Sequence, residues 1–322
     1  MTNLSPLRVP FCFRLAMRKF LIVFLSLIVV LATIATVKRL EPRIHLAALL
    51  GLKKEKSETK NLNTQITTPI LAAGSEYAEL IEAALRKTKD STTIPFQIGI
   101  TSHHLPTAIS FIANFYRTTQ DSPGPRKTFV AIGPDHFEKC VSPVSITEKP
   151  FQTPFGQLAI DQRLVQELVK AGVGVDNQCF ENEHSIGVQA IFIKKLFPKA
   201  KFVPLMFSAT TEDQSLEKVI QVLYTFRDQI ILIVSTDFSH YQNLQKAKAL
   251  DQASELMLKK QQTSSWQLDY VDSPAAIKLA LNLAKKLGAK ETLILDKANS
   301  YDFSGQTENT TGYLNVIFIS TE

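Results

Sequence analysis

Beyond about residue 92 the chain alternates short, nearly continuous apolar runs with longer stretches in which apolar residues recur every three or four positions. The short runs at 96–101 (FQIGIT), 128–133 (TFVAIG), 201–207 (KFVPLMF), 229–235 (QIILIVS) and 312–320 (GYLNVIFIS) predict buried strands, with a further strand at 155–160 (FGQLAI). Between them, 106–116, 161–171, 185–197, 212–226, 243–260 and 273–287 have the spacing of amphipathic helices. Strands separated by helices predict an α/β fold, a single domain over 92–322 with a central, mostly parallel mixed sheet flanked by helices. Ahead of it, 75–87 (SEYAELIEAALRK) predicts a helix with Ser75 as its N-cap.

The N-terminal part follows a different pattern. Residues 20–37 (FLIVFLSLIVVLATIATV) carry no charge, Gly or Pro and are just long enough to cross a hydrocarbon core as a helix. Arg14, Arg18 and Lys19 precede this run and Lys38, Arg39 and Arg43 follow it, which predicts a transmembrane helix or signal anchor and disfavours a core helix. A cleaved signal peptide is the rival reading, because Thr33-Ile34-Ala35 has the small-x-small spacing of a cleavage site. The expected organisation is a basic segment at 1–19, the span at 20–37, a tether and pre-domain helix at 38–91, and the domain. The positive-inside rule leans toward a cytoplasmic N-terminus and an extracytoplasmic domain.

The same division accounts for the net charge of +6. Residues 1–60 hold 11 Lys/Arg and 3 Asp/Glu, giving +8, so the remainder holds 25 and 27 and carries −2. A nucleic-acid partner needs its basic surplus on the folded domain and is therefore excluded. Of the three cysteines, Cys12 precedes the span, while Cys140 and Cys179 lie in the domain as a disulfide or as two buried thiols.

Candidate chemistry enters with histidine. His103 and His104 follow the first predicted strand, His136 follows the second in Gly-Pro-Asp-His, and His240 follows the 229–235 run in Thr-Asp-Phe-Ser-His. His184 precedes the helix at 185–197, and His45 lies in the leader. Ligands of open α/β sheets bind at the carboxyl ends of the strands, so five of the six histidines are expected to share one pocket. Imidazole is a ligand for Fe, Zn and Cu, and two His with one carboxylate leave positions for substrate or dioxygen. Asp135, Glu183 and Asp237 lie close to a His in sequence, each as a candidate anionic ligand or an acceptor that fixes a ring tautomer.

Taken together, GITSHHLPTA (99–108), AIGPDHF (131–137), QTPFGQLAID (152–161), ENEHSIGVQAIFIKKLFPKAKFVPLMF (181–207), STDFSHY (235–241), VDSPAA (271–276) and TTGYLNVIF (310–318) resemble the Memo-like proteins. The likeness is to the bacterial and archaeal branch called AmmeMemoRadiSam system protein B in particular. It implies the fold of class III extradiol ring-cleaving dioxygenases, in which a non-haem iron sits between two His and a carboxylate. By motif, it implies His103 and His136 as metal ligands, for Fe(II) first and Zn or Cu otherwise, and places His184, Asp237 and His240 in the rest of the polar pocket. His184 or His240 would then serve as acid/base, with Asp237 orienting His240.

Two departures stand out. Ser102 replaces a proline that commonly precedes the first His pair in the family. The eukaryotic branch supplies a Cys as third ligand near the C-terminus, whereas 300–311 contains none and offers Asp302 and Glu308 as its carboxylates. The implied function is that of a metal-dependent, dioxygenase-like oxidoreductase. Its alternative is a non-catalytic module that binds a phosphate, carboxylate or peptide group, and a purely structural subunit is a third reading. Expected partners are a small-molecule or peptide ligand, AMMECR1-type domain and radical SAM proteins by family association, and the membrane through the N-terminal helix.

Overall fold

The computed structural model describes residues 68–88, 94–120 and 128–319. The basic segment, the span at 20–37, nearly all of the tether, Cys12 and His45 lie outside the described residues. Among the described residues, no helix is long and apolar enough to cross a membrane.

The strands are β1 (Ile70–Leu71), β2 (Ile98–Thr101), β3 (Thr128–Pro134), β4 (Val144–Ile146), β5 (Phe151–Thr153), β6 (Gly156–Ile160), β7 (Gly174–Val175), β8 (Lys201–Phe207), β9 (Ile230–Ser235), β10 (Glu291–Asn299) and β11 (Gly312–Ile319). The helices are α1 (Ala78–Lys87), α2 (Ile109–Thr118), α3 (Gln162–Lys170), α4 (His184–Leu196), α5 (Asp213–Thr225), α6 (Leu244–Lys259), α7 (Pro274–Lys286) and the short α8 (Ser300–Ser304). One sheet runs β1-β5-β6-β8-β3-β9-β2-β11-β10, with β4 on β8 and β7 on β4 off that path. Its centre, β6-β8-β3-β9-β2, is parallel throughout, and β11 and β10 continue it antiparallel at one edge. Central strands such as β3 and β9 are buried at every position, which is why they read as continuous apolar runs.

Register brings the strand ends to one level: Thr101 pairs with Ser235, and Pro134 with Phe207. Helix α4 packs on β3 and β8, and its residues from Ser185 to Ile193 are buried. At Gly133 a Cβ would meet Ser185 Cβ and Oγ at 2.9 Å, so glycine lets the first turn of α4 rest on the end of β3.

The helices start and stop within a few residues of their sequence boundaries, and the caps explain where. Asp161 accepts from Leu164 N and starts α3, and Asn243 accepts from Lys246 N and starts α6. Ser75 does not cap a helix: a 3-10 turn over Ser75–Tyr77 precedes α1, and the Ser75 hydroxyl donates to Ala72 O at 2.5 Å. Helix α2 begins at Ile109, three residues late, because 104–108 forms a turn in which Ala108 N donates to His104 O at 2.7 Å. Strand β10 was not expected; its half-buried, charge-interrupted sequence and a bulge between Ile294 and Asp296 hide the alternation of an edge strand. Cys140 and Cys179 form a disulfide, with Cα atoms 4.9 Å apart.

Candidate metal centre

Five histidines gather at the carboxyl edge of the sheet. His103, His104, His136, His184 and His240 line a cavity of about 840 Å³ together with Asp237 and Asp272. Three strand ends contribute: β2 leads into Ser102-His103-His104, β3 into Asp135-His136, and β9 into Thr236-Asp237. His184 is the first residue of α4, and Glu183, its N-cap, accepts from Ser185 N at 2.9 Å. Asp272 arrives from the other direction, just ahead of the Ser273 N-cap of α7. Its backbone N–H donates to Asp237 O at 3.0 Å, and Asp237 N–H returns a bond to Asp272 Oδ2 at 3.2 Å. The Asp237–His240 turn is held from behind by Gly312, whose N–H donates to Ser239 O, and by Asp251, which accepts from Ser239 N. A Cβ at Gly312 would collide with the Asp251 carboxylate, so this approach also needs glycine.

The hydrogen-bond network decides which ring nitrogens face the cavity. Gln189 is fixed by Tyr116, whose hydroxyl donates to its Oε1, so its amide N–H groups go to Ser102 O and Ser235 Oγ. The Ser235 hydroxyl spends its proton on Ser185 O at 2.5 Å. The lone pair left on Ser235 Oγ can only accept, and His103 Nδ1 lies 3.2 Å from it. His136 Nδ1 lies 2.8 Å from Glu183 Oε1, and the same carboxylate takes His136 N–H at 3.1 Å. Both rings are therefore assigned as Nδ1–H donors, with the Nε2 lone pair turned inward.

Both lone pairs point at an acid. His103 Nε2 is 3.2 Å and His136 Nε2 3.6 Å from the same atom, Asp272 Oδ2. His240 Nε2 is 4.0 Å from that oxygen and 3.8 Å from Asp237 Oδ2, which also lies 3.8 Å from His103 Nε2. Lone pairs facing a carboxylate repel unless a cation lies between them. Donor atoms each about 2.1 Å from one ion stand roughly 3.0–3.4 Å apart, which matches the His103–Asp272 spacing and approaches the His136–Asp272 one. Two sets of side chains have donor atoms within 4.8 Å of one another: His103, His136 and His184, and His103, Asp237 and Asp272.

The charge preferences of these groups follow from burial and from one another. Burial opposes charge on His103, but Asp237 and Asp272 outweigh it and raise its pKa. Burial likewise opposes charge on His136, yet its bonds to Asp272 and Glu183 push its pKa up to about 10. Burial favours the neutral acid at Glu183, and the bond to His136 overrides it, holding the carboxyl at about 2. Asp272 is pulled well below the carboxylate range by His103, His136 and His240 against the cost of its burial. His184 goes the other way, to about 4, first through burial and then through the charges of His103 and His136. Its ring stacks on His136 with centroids 4.2 Å apart. Burial also lowers the pKa of His104.

All five site residues expected from sequence, His103, His136, His184, Asp237 and His240, line this one cavity. The carboxylates need correction. Asp135 turns away to accept from Lys139 N and Cys140 N. Asp302 caps α8 by accepting from Asn299 N, and Glu308 is exposed and does not line the cavity, so neither faces the imidazoles. Asp272 is the carboxylate whose oxygen faces His103 and His136. Asp272 follows no strand; it precedes a helix, so the rule that strand ends gather at one edge does not point to it.

A family model described as Memo-like protein matches residues 75–317. A MEMO1 family protein of Methanopyrus kandleri is 29% identical over 260 residues, covering 74% of this chain and 89% of the relative. Another, from Sulfolobus acidocaldarius, is 32% identical over 219 residues, covering 64% and 75% respectively. A third, from Caldivirga maquilingensis, is 30% identical over 204 residues, covering 60% and 72%.

Proposed function

The chain belongs to the Memo-like protein family, and on that premise we propose that its histidine cavity holds a divalent transition metal, Fe(II) first, as the centre of an oxidoreductase. The observation that carries this reading is the pair of inward Nε2 lone pairs of His103 and His136 facing one oxygen of Asp272. These three groups would hold the ion, and a set of two His and one carboxylate leaves room on it for an oxygen ligand and dioxygen. His184, uncharged at neutral pH and 42% exposed at its side chain, would accept a proton from a ligand in the cavity. His240, its Nε2 3.8 Å from Asp237 Oδ2, would be the second proton carrier, and Ser102 fixes that carboxylate by donating to its Oδ1 at 2.5 Å. A metal-free anion site is less well supported, because the cavity lining includes Asp237, Asp269 and Asp272 and no Lys or Arg. The fold alone does not carry the reaction.

Metal analysis of protein prepared anaerobically without chelators, followed by dioxygen uptake with catechols, tests the proposal. Bound iron with uptake supports it; bound metal without uptake transfers the site to a binding role, and Zn or Cu in place of iron revises the ion. The Cys140–Cys179 bridge supports an extracytoplasmic domain beyond the anchor read at 20–37, since disulfides persist in oxidising compartments. AMMECR1-type and radical SAM proteins are its proposed partners through the family association.

A further inference from the structure

His104 has no place in the metal set, yet it is as firmly built into the cavity as its neighbour. It follows His103 along an extended segment, so the two rings diverge: His103 turns toward Ser235, and His104 toward β11. There its Nδ1 lies 2.7 Å from the hydroxyl of Tyr313, a fully buried residue. The proton positions on this pair follow from what stands behind it. Ser300 Oγ accepts from Thr311 N–H at 2.9 Å and interacts with Tyr313, and a serine proton given to the phenol oxygen would free the phenol's own proton for the imidazole. Tyr313 then donates to His104 Nδ1. The proton of the neutral imidazole sits on Nε2, at the opposite edge of the ring, and a protonated ring would carry one there too. The backbone is fixed as well: His104 N–H donates to Ser102 Oγ at 3.0 Å, and Ser102 donates to Asp237.

Other side chains that can donate line the cavity, Gln242 and Thr311 among them, and His104 adds one beside His103. The cavity's carboxylates only accept, the Nε2 atoms of His103 and His136 face Asp272, and no Lys or Arg lines the wall. We propose that His104 is a ligand-binding residue, whose Nε2–H, aimed by the Ser300–Tyr313–His104 relay, donates to an oxyanion ligand of the carboxylate or enolate class bound at the metal. This rests on the metal reading above for its ligand half, while the relay stands on the metal-free protein.

Two measurements test it on the full chain. Nitrogen-15 imidazole spectra of the metal-free protein report the His104 tautomer: Nε2–H is expected in the parent and a shift toward a mixture in Tyr313→Phe. An Nδ1–H ring in the parent overturns the relay. With Co(II) as spectroscopic metal and azide as probe, His104→Ala is expected to keep stoichiometric cobalt and bind azide roughly tenfold to a hundredfold more weakly, the range for one hydrogen bond to a charged group. His104→Gln, which keeps a donor, should recover part of that loss, and Tyr313→Phe should show a smaller one. Unchanged azide affinity in His104→Ala and Tyr313→Phe, or loss of cobalt from His104→Ala, overturns the proposal. A parent protein that takes up no cobalt defeats the metal reading and the ligand half with it, and the tautomer spectra still decide the relay.

Discussion

The two halves of the cavity use their acids in opposite ways. On the β2–β9 side, Asp237 and Asp272 share the front of the site with the imidazoles, their oxygens 3.2–4.0 Å from the Nε2 atoms of His103 and His240. On the β3–α4 side, Glu183 stands behind His136 and bonds Nδ1, so it sets the ring's direction without entering the cavity front. The contrast separates carboxylates that face the Nε2 atoms from one that sits behind a ring and sets its direction. It also separates two kinds of support. The front acids, one past a strand end and one ahead of a helix, are tied to each other by Asp272 N–H on Asp237 O and Asp237 N–H on Asp272, whereas the His136 loop is tied by the Cys140–Cys179 bridge and by Asp176, which accepts from Val141 N and Cys179 N.

The largest effects are expected from removing the groups at the front of the cavity. Asp272→Asn, His103→Ala and His136→Ala should each abolish stoichiometric metal, a loss above about 100-fold, read by elemental mass spectrometry. Glu183→Gln should keep the metal but weaken it by roughly 10–100-fold, as for an acceptor behind a ligand. Equal losses from Asp272→Asn and Glu183→Gln would erase the distinction between front and back. His45→Ala, in the leader, is expected to change nothing.

A smaller effect follows from pH. Asp272 and Glu183 together raise the His136 pKa to about 10, and His136 lowers that of Glu183 to about 2. The raised His136 value contributes stability that is full below its ordinary value of 6.5 and is lost as pH climbs through about 10. The lowered Glu183 value contributes stability that is full above 4.5 and is lost as pH falls through about 2. Urea midpoints of the metal-free protein should therefore decline on both limbs, and Glu183→Gln should flatten the acid limb and reduce the alkaline one, where Asp272 still acts on His136. A variant that keeps the parent's pH profile would mean that the pair is not formed in solution.

The smallest effect on the metal belongs to the bridge. Removing it with paired Cys140→Ser and Cys179→Ser changes should cost about 2–4 kcal/mol of stability, typical for a disulfide, and less than about tenfold in metal affinity. Amide exchange should rise in residues 136–141 and 176–185 while 101–104 and 235–240 keep their protection. Uniform loosening across both sets would mean that the two halves share one support.

How far the sequence reaches can be argued from the same residues. Buried parallel strands and capped helices announce themselves, because β3 and β9 must be apolar on both faces and Asp161 and Asn243 must cap. The histidines were legible because topology sends every parallel strand end to one edge. Asp272 was not, since nothing local marks an acid ahead of a helix as facing three imidazoles; that fact arises only when Asp237 and Asp272 exchange backbone bonds across the fold. The direction of the rings was equally hidden, because it is set by Gln189, Ser235 and Glu183, residues from other elements.

On the proposed reading, the Nε2 atoms of His103 and His136 and the Asp272 oxygen make a seat for one divalent cation. Anaerobic calorimetric titration of the metal-stripped protein with Fe(II), in two buffers of different ionisation enthalpy, tests it most directly. One ion per chain, bound with release of protons from the imidazoles and lost in Asp272→Asn, is the predicted result. No saturable binding, or binding that releases no proton and survives Asp272→Asn, would contradict it.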